Sequence, residues 1–566
     1  MTRVMGGARR AAAASVAVLA LGLVACAPAM PESVVAGTKI TAGWTGELTS
    51  VNAAASPTPG NIDIAETIRG GFGDVIDGDF VADEGFGTVT IVSDDPFTVR
   101  YDLAEPAWSD GIPLDAADLV LGWAGASGYF DEEGQAAADA APEVSKVDEF
   151  ARAIEVTYPQ PILGWQSAVT VPVAAHVVGQ RAFGTDDAME AKQEIIRAIQ
   201  QGDDSALADI EKVWNEGFDL PEKGEIPADL LLSSGPFRLD KVDGEGKAQT
   251  VSLVPNAAYR GLVSPQVARI DFVPPGDDPI AAVGDTLDVA QVAPLAANWE
   301  PIHELERQDF TIDTSNDGTI WALMLNPVGA FSHQPARIAF IHAAPSAALV
   351  AGGAGEWASA YTGTTSMVSV PGSRAYEIVN EDSGFADTLG SPDDPAVERE
   401  TAGVAAGAPV CVLYDRGSEF AAGAFAALRD TAAEAGWSVV DCGSDDYAAA
   451  LEQGSWDAVI TRVPIPQTPA QIAEQWGTYG EASITGATDP ERDVLITQLA
   501  QTADVYEARD VLAQIEASIV RSAVALPLAV NPRVTILDKD VTGIAPRNGA
   551  AAPLTYGVAQ WAAVPK

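Results

Sequence analysis

Four histidines, three cysteines and one dense group of carboxylates are the residues whose types could do chemistry. His176, His303, His333 and His342 would suit metal binding or proton transfer, but no two stand at zinc-ligand spacing and HExxH does not occur. The nucleophile elbow GxSxG and the phosphate loop GxxxxGK[ST] do not occur either. Gly244-Glu245-Gly246-Lys247 reads as a hairpin turn. Asp74, Asp77, Asp79, Asp83 and Glu84 resemble a calcium loop in composition only, since the EF-hand register puts a glycine and a terminal glutamate where this stretch has neither. A solvated acidic loop is the expectation. No catalytic group, metal or other cofactor is expected; the enzymatic alternative is a hydrolase whose paired carboxylates meet only on folding.

Cys26 has the most specific chemistry. Arg3, Arg9 and Arg10 precede an uncharged stretch, Ala11 to Val24, that is 14 residues long. That length suits a signal peptide and falls short of the ~20 apolar residues that span a bilayer. The stretch ends on Leu23-Val24-Ala25-Cys26, a lipobox. Residues 1–25 are expected to be removed and the Cys26 thiol to take a diacylglycerol. The mature chain would then be lipid-anchored at the extracytoplasmic face of a bacterial cell membrane.

Cys411 and Cys442 remain, in a compartment that permits a disulfide. Val410 to Tyr414 and Ser438 to Asp441 read as neighbouring parallel strands. Cys411 lies near the start of the first and Cys442 just past the end of the second. At ~3.3 Å per residue this offset leaves the bridge open either way.

The elements that must position these residues alternate along the chain. Residues 26–37 form a tether rich in Ala and Pro. Lys39 to Trp44, Thr88 to Val92, Thr98 to Leu103 and Ala151 to Tyr158 read as strands, with a helix starting near Asn61. Helices follow from Asp186 to Phe218, broken at Gly202-Asp203-Asp204. Strands return at Phe237, Thr250 and Arg269. From about Asp288 to Arg521, β-runs and helices alternate in βαβ order, which predicts a mostly parallel sheet. Val505, Ala508, Leu512, Ile515 and Ile519 mark one face of an amphipathic helix. The mature length of 541 residues exceeds what one core serves, so two or three lobes are expected. The net charge of −48, or −51 without the signal arginines, argues against nucleic acid and anionic lipid surfaces as partners.

Trp108-Ser109-Asp110-Gly111-Ile112-Pro113-Leu114-Asp115-Ala116-Ala117-Asp118-Leu119-Val120 resembles the W-S-D-G-x-P-x-T-A-x-D-V pattern of the family 5 (dipeptide/oligopeptide type) extracellular solute-binding proteins of ABC importers. Its physics is local: a turn at Ser109-Asp110-Gly111, then a helix capped by Asp115. Five weaker likenesses follow in the family's order. They are Ser234 to Leu239, Val254 to Gly261, Leu287 to Ala290, Arg337 to Ala343 and Ala525 to Leu528.

The resemblance implies an α/β, two-lobed, type 2 periplasmic-binding-protein-like fold with mixed sheets and a ligand cleft. Lobe I would be 38–285 with a return at 523–566, and lobe II 286–522. A monomer is expected, enclosing a small peptide-like solute and delivering it to permease subunits. A second function on the same fold is regulation of envelope assembly without transport.

The family's peptide binders carry D-Y-x-D-P after a lobe II strand, where the ligand's amino end is held. Here Thr461-Arg462-Val463-Pro464 follows the strand. A cation thus replaces an acid, which favours an anionic group if Arg462 faces the cleft; pairing with a surface acid is the alternative. Trp44 with its neighbour Thr45, Trp321, Trp476 and Tyr479 are the other ligand candidates, and core packing is the alternative for each aromatic.

Overall fold

The alternating run after Lys39 forms β1 (Ile40–Gly43), whose Ile40 and Ala42 are fully buried. The computed structural model describes residues 30–76, 78–130, 142–148, 152–221, 224–390, 394–549 and 554–565. The signal segment and Cys26 lie outside the described residues. The expected tether is already bonded to the body at Ser33, whose hydroxyl donates to the Pro265 carbonyl at 2.7 Å. Val35 N–H then donates to Gln266 at 2.9 Å.

The acidic run expected as a solvated loop is instead a hairpin, β2 (Gly73–Ile76) and β3 (Asp79–Ala82), with Asp77 outside the described residues. β4 (Gly87–Asp94), β5 (Phe97–Leu103), β6 (Glu143–Asp148) and β7 (Ala153–Thr157) make an antiparallel sheet in the order β4-β5-β7-β6. Next come β8 (Phe237–Asp243), β9 (Thr250–Pro255) and β10 (Ile270–Val273). Gly244 turns β8 into β9 at φ +82°, and a Cβ there would stand 2.6 Å from the Ala248 carbonyl oxygen.

The W-S-D-G stretch is built around Asp118, which no water reaches. Its carboxylate accepts from Trp108 Nε1 at 3.1 Å, Ala175 N at 2.9 Å, Asp115 N at 3.0 Å and Lys192 Nζ at 2.8 Å. Asp115 caps the helix Ala116–Ala126 as expected, and with Asp118 it closes a capping box. The motif is therefore a structural knot joining a turn, a cap and the helix Ala188–Gln201, which carries Lys192.

Beyond it lie β11 (Val289–Val292), β12 (Thr311–Leu325), β13 (Thr362–Gly363), β14 (Ala408–Leu413), β15 (Trp437–Asp441), β16 (Ala458–Pro464) and β17 (Ala525–Leu537). Among the described residues one eleven-stranded sheet runs β15-β14-β16-β12-β17-β11-β1-β10-β9-β8, with β13 on the edge of β17. β14, β15 and β16 make the expected parallel array, and β11 pairs parallel with β1. β12 is antiparallel to both β16 and β17. The sheet is mixed, as the fold class anticipated.

Cys411 and Cys442 are bridged, with Cα atoms 5.6 Å apart. Pairing continues past β15, since Cys442 N–H donates to the Val412 carbonyl at 3.1 Å. That extra rung brings Cys442 within reach of the strand holding Cys411.

Apart from a small cluster of Ile280, Ile302, Trp357 and Ile536, apolar packing divides the described residues in two. One cluster surrounds Tyr101, Trp108, Phe237 and Trp561. The other half packs on two faces of its sheet, around Leu323 and Phe425 on one side and around Met324 and Ile515 on the other. β11 lies beside β1 in the first half, and Ala525 and Leu526 pack in the second. The chain crosses within β12 and β17, whose continuous strand patterns give no sign of a boundary.

Candidate functional site

β12 and β17 pair along both lobes, Thr311–Asn316 against Leu537–Pro532, then Ile320–Met324 against Val530–Ala525. Between these blocks the register shifts at Asp317-Gly318-Thr319, with Gly318 at φ +81°. The residues at this shift make polar contacts. Asp317 Oδ1 accepts from the backbone N–H of Thr319 at 3.0 Å and from its hydroxyl at 2.6 Å. Asp317 Oδ2 accepts from Asn531 Nδ2 at 2.7 Å and Arg462 Nη1 at 3.1 Å. Asn531 Oδ1 accepts from Trp321 Nε1 at 2.8 Å.

Arg462 also lies 5.9 Å above the Trp321 ring, and half of its side chain remains exposed. Trp321 stacks on Phe420 at 4.5 Å, and Phe420 on Tyr361 at 4.9 Å. The Tyr361 hydroxyl is pushed up to about 12, first by burial and then by the Asp317 carboxylate, with Arg462 opposing.

In the first half of the chain a second group of charges gathers around the end of β1. Trp44 stands where β1 ends, and its Nε1 donates to Asp63 Oδ2 at 2.9 Å. Asp63 lies on the helix Pro59–Ile68, which is capped by Thr58. Burial raises its carboxyl, while the Trp44 bond and the charge of Arg533 pull it down. Glu66, one turn on, is pushed up to about 7 by burial and by the Asp74 carboxylate, against Arg547. Arg547 stacks 4.5 Å over Tyr556 and donates to the Val75 carbonyl.

The lobes touch at two further places. Asp79, at the start of β3, receives Arg509 on one oxygen and Arg374, at 3.4 Å, on the other. Leu163 N–H donates to Ala500 at 3.1 Å and Trp165 Nε1 to Ala503 at 3.3 Å. Glu516 aligns the first of these contacts. Its carboxylate accepts from Ser366 Oγ and from the N–H groups of Met367 and Val368, fastening the segment before Arg374 to the helix that carries Arg509.

Of the residues expected from sequence, Trp321 and Arg462 are brought together, and Arg462 has an acid partner. Trp44 is buried against Asp63, and Thr45 beside it is exposed. Trp476 packs in the core with Ile472 and Ile496. Tyr479 stands 92 % exposed. Sequence reading missed Asp317, Asn531, Asp63 and Arg547. One signal was present: an Asp-Gly pair interrupting the β-run before Trp321 marks a bulge. Among the described residues no three His, Cys, Asp or Glu side chains are grouped to hold a metal ion.

No family model matches the chain. An uncharacterized lipoprotein of Mycobacterium tuberculosis is 26 % identical over 515 residues, 86 % of each chain. An uncharacterized lipoprotein of Mycobacterium leprae is 26 % identical over 193 residues, 33 % of this chain and 32 % of its own. Among solved structures, a periplasmic EDTA-binding protein superposes with a TM-score of 0.73 at 19 % identity, covering 93 % of this chain and 96 % of its own. The ABC transporter substrate-binding protein CtaP of Listeria monocytogenes gives 0.71 at 16 % identity over 93 % and 99 %. The oligopeptide-binding protein AppA of Bacillus subtilis, in complex with a nonapeptide, gives 0.58 at 13 % identity over 93 % and 99 %. The fold is the two-lobed periplasmic-binding-protein fold of these proteins.

Proposed function

We propose, on this shared fold, that the chain is a lipid-anchored solute-binding protein of an ABC importer at the outer face of a bacterial cell membrane. It catalyses nothing; it encloses a small peptide-like solute between its lobes and hands it to a permease. The observation that carries the reading is the paired crossing of β12 and β17, flanked by charges of both signs. Two strands that both run from lobe to lobe make a hinge, and a ligand that binds the closed form better shifts the population toward it.

The charges suit a zwitterion. An ammonium would meet Asp63, Glu66 and Asp74, and a carboxylate would meet Arg462 or Arg547. Arg462 can take a ligand oxygen without abandoning Asp317, because one of its five N–H donors is used there and half of the side chain is open. Cys26 would tether the receptor close to its permease and raise its effective concentration there.

Native mass spectrometry of the mature, lipid-free protein tests the reading by identifying solutes that co-purify. In a thermal-shift screen, short peptides should stabilise the chain, and Arg462→Ala should weaken binding about tenfold. A screen in which no peptide stabilises it well above micromolar concentrations would point away from peptides. The second reading, a regulator of envelope assembly on the same fold, predicts a protein partner and no co-purifying solute.

A further inference from the structure

Large apolar side chains that stand exposed singly are ordinary on a protein surface. Five of those exposed among the described residues gather in one place: Met30, Val35, Leu262, Val263 and Val564, with Leu262 the most open at 69 %. Three segments bring them together. Val35 bridges Val267 in parallel, and two residues back on each chain the Ser33 hydroxyl donates to the Pro265 carbonyl at 2.7 Å. Leu262 and Val263 come just before that proline. A turn closed by Val34 N–H on the Pro31 carbonyl at 3.0 Å keeps Met30 near the same rung. Pro565, the neighbour of Val564, lies against Gly37, where a Cβ would stand 3.9 Å from the proline's own.

This apolar collar lies at the N-terminal approach to β1, and Trp44 stands at the other end of that strand. The collar is also set apart by charge. Residues 30–38, 257–268 and 561–565 carry one acid, Glu32, and one base, Arg260, in a chain of 80 acids and 32 bases. Arg260 donates to the carbonyls of Ala257 and Tyr259, at 3.0 and 2.8 Å. Glu84, Lys539 and Asp540 adjoin the collar, where Gly85 meets Leu262 and where Val564 N–H meets the Asp540 carbonyl.

Three residues separate Met30 from Cys26, the residue expected to carry the lipid. A fully extended chain spans at most ~3.6 Å per residue, so the two α-carbons can be no more than ~14 Å apart. The bonds of Ser33 and Val35 fix the chain to the body before β1 begins, so the collar cannot drift away on a longer linker. A diacylglycerol on Cys26 therefore keeps this face beside the headgroup layer. A protein partner would have to displace lipid to reach it. The net charge of −48 repels anionic lipid from the rest of the surface, which leaves the neutral collar as the part that can approach.

We propose that the collar is a membrane-contact surface, its five apolar side chains set among the headgroups of the leaflet that holds the Cys26 lipid. The inference rests on the lipid-anchored reading and adds a second attachment to the acyl chains. An anchored protein whose apolar side chains also enter the interface is held in one orientation instead of swinging on its tether.

The test uses the mature, lipidated protein in phosphatidylcholine vesicles. A fluorophore on Leu262→Cys or Val564→Cys should be quenched by phosphatidylcholine spin-labelled near its headgroup. One on Ala433→Cys, exposed just before β15 and six strands across the sheet from β1, should keep its fluorescence. Quenching at Leu262 no greater than at Ala433, with the Cys26 lipid confirmed by mass spectrometry, overturns the contact and leaves the anchor standing. Absence of a lipid on Cys26 overturns both. Leu262 and Val564 are exposed, so Leu262→Glu/Val564→Glu spares the core. In that variant a fluorophore on Val35→Cys should escape quenching while the protein stays on the vesicle. Quenching that persists there would show that the tether alone brings the label to the lipid, and the collar would have no role. Cross-linking of two copies through Leu262→Cys, with the fluorophore unquenched by lipid, would give the face to a second copy instead.

Discussion

Lys192 is 1 % exposed, with its ammonium 2.8 Å from Asp118 and 3.1 Å from Asp115. A buried charge is tolerated only when paired, and removing one partner strands the other. Lys192→Met should therefore lower the unfolding free energy by ~3 kcal/mol in urea denaturation. A loss below ~1 kcal/mol would mean that the N–H donors alone satisfy Asp118.

Glu516 presents the opposite case, a buried carboxylate met by a hydroxyl and N–H groups. Burial pushes its carboxyl up to about 7 against those donors. The folded value lies above the ordinary 4.5, so the folded chain holds the proton more tightly. Its contribution to stability is full below the ordinary value and is lost as pH rises through about 7. The thermal midpoint should fall between about pH 5 and about pH 8, and less steeply in Glu516→Gln. Equal slopes would move the effect to Glu66, the other carboxyl raised to about 7.

Neither residue was legible in the sequence. Each sits on an amphipathic helix at a polar position that reads as solvent-facing, and its partners come from distant segments. The Asp115 cap was legible because a cap and its donors are neighbours in the chain.

The hairpin of β2 and β3 reaches the second lobe through Asp79, and Glu516 keeps Arg374 and Arg509 in place to receive it. Arg509 is nearly buried while Asp79 is about one-third exposed, so the pair falls between a surface bridge and a buried one. At ~1 kcal/mol, its loss would shift an open–closed equilibrium roughly fivefold. Asp79→Asn should lengthen the distance between spin labels placed on the two lobes and speed hydrogen exchange in the hairpin. An unchanged distance distribution would make the contact incidental to closure.

Most single elements were legible, because their signals are local: the cap at Asp115, the turn at Gly244, the helix face of Val505 to Ile519. The acidic hairpin was missed because its composition mimics a solvated loop, and the partners of Asp79, Arg374 and Arg509, lie far along the chain. The crossing was missed for a different reason. β12 and β17 keep a strand pattern from one lobe to the other, so nothing in the alternation marks where the lobes part.

At the scale of the whole molecule, charge acts in two directions. A chain of −48 repels itself, and this repulsion disfavours any compact state. Added salt screens it, so resistance to heat should rise between about 20 mM and about 500 mM sodium chloride. The Asp79 contact is an attraction, partly open to solvent, and the same salt weakens it. Global stability and lobe closure should therefore respond oppositely: a higher thermal midpoint together with a larger radius of gyration in small-angle scattering. The coupling is specific to the contact, since in Asp79→Asn the midpoint should still rise while the radius no longer responds. A radius that grows with salt equally in both proteins would show that closure depends on the overall field rather than on this pair. Should the radius shrink with salt, repulsion between the acidic lobes would dominate, and solute binding would then tighten with ionic strength instead of weakening.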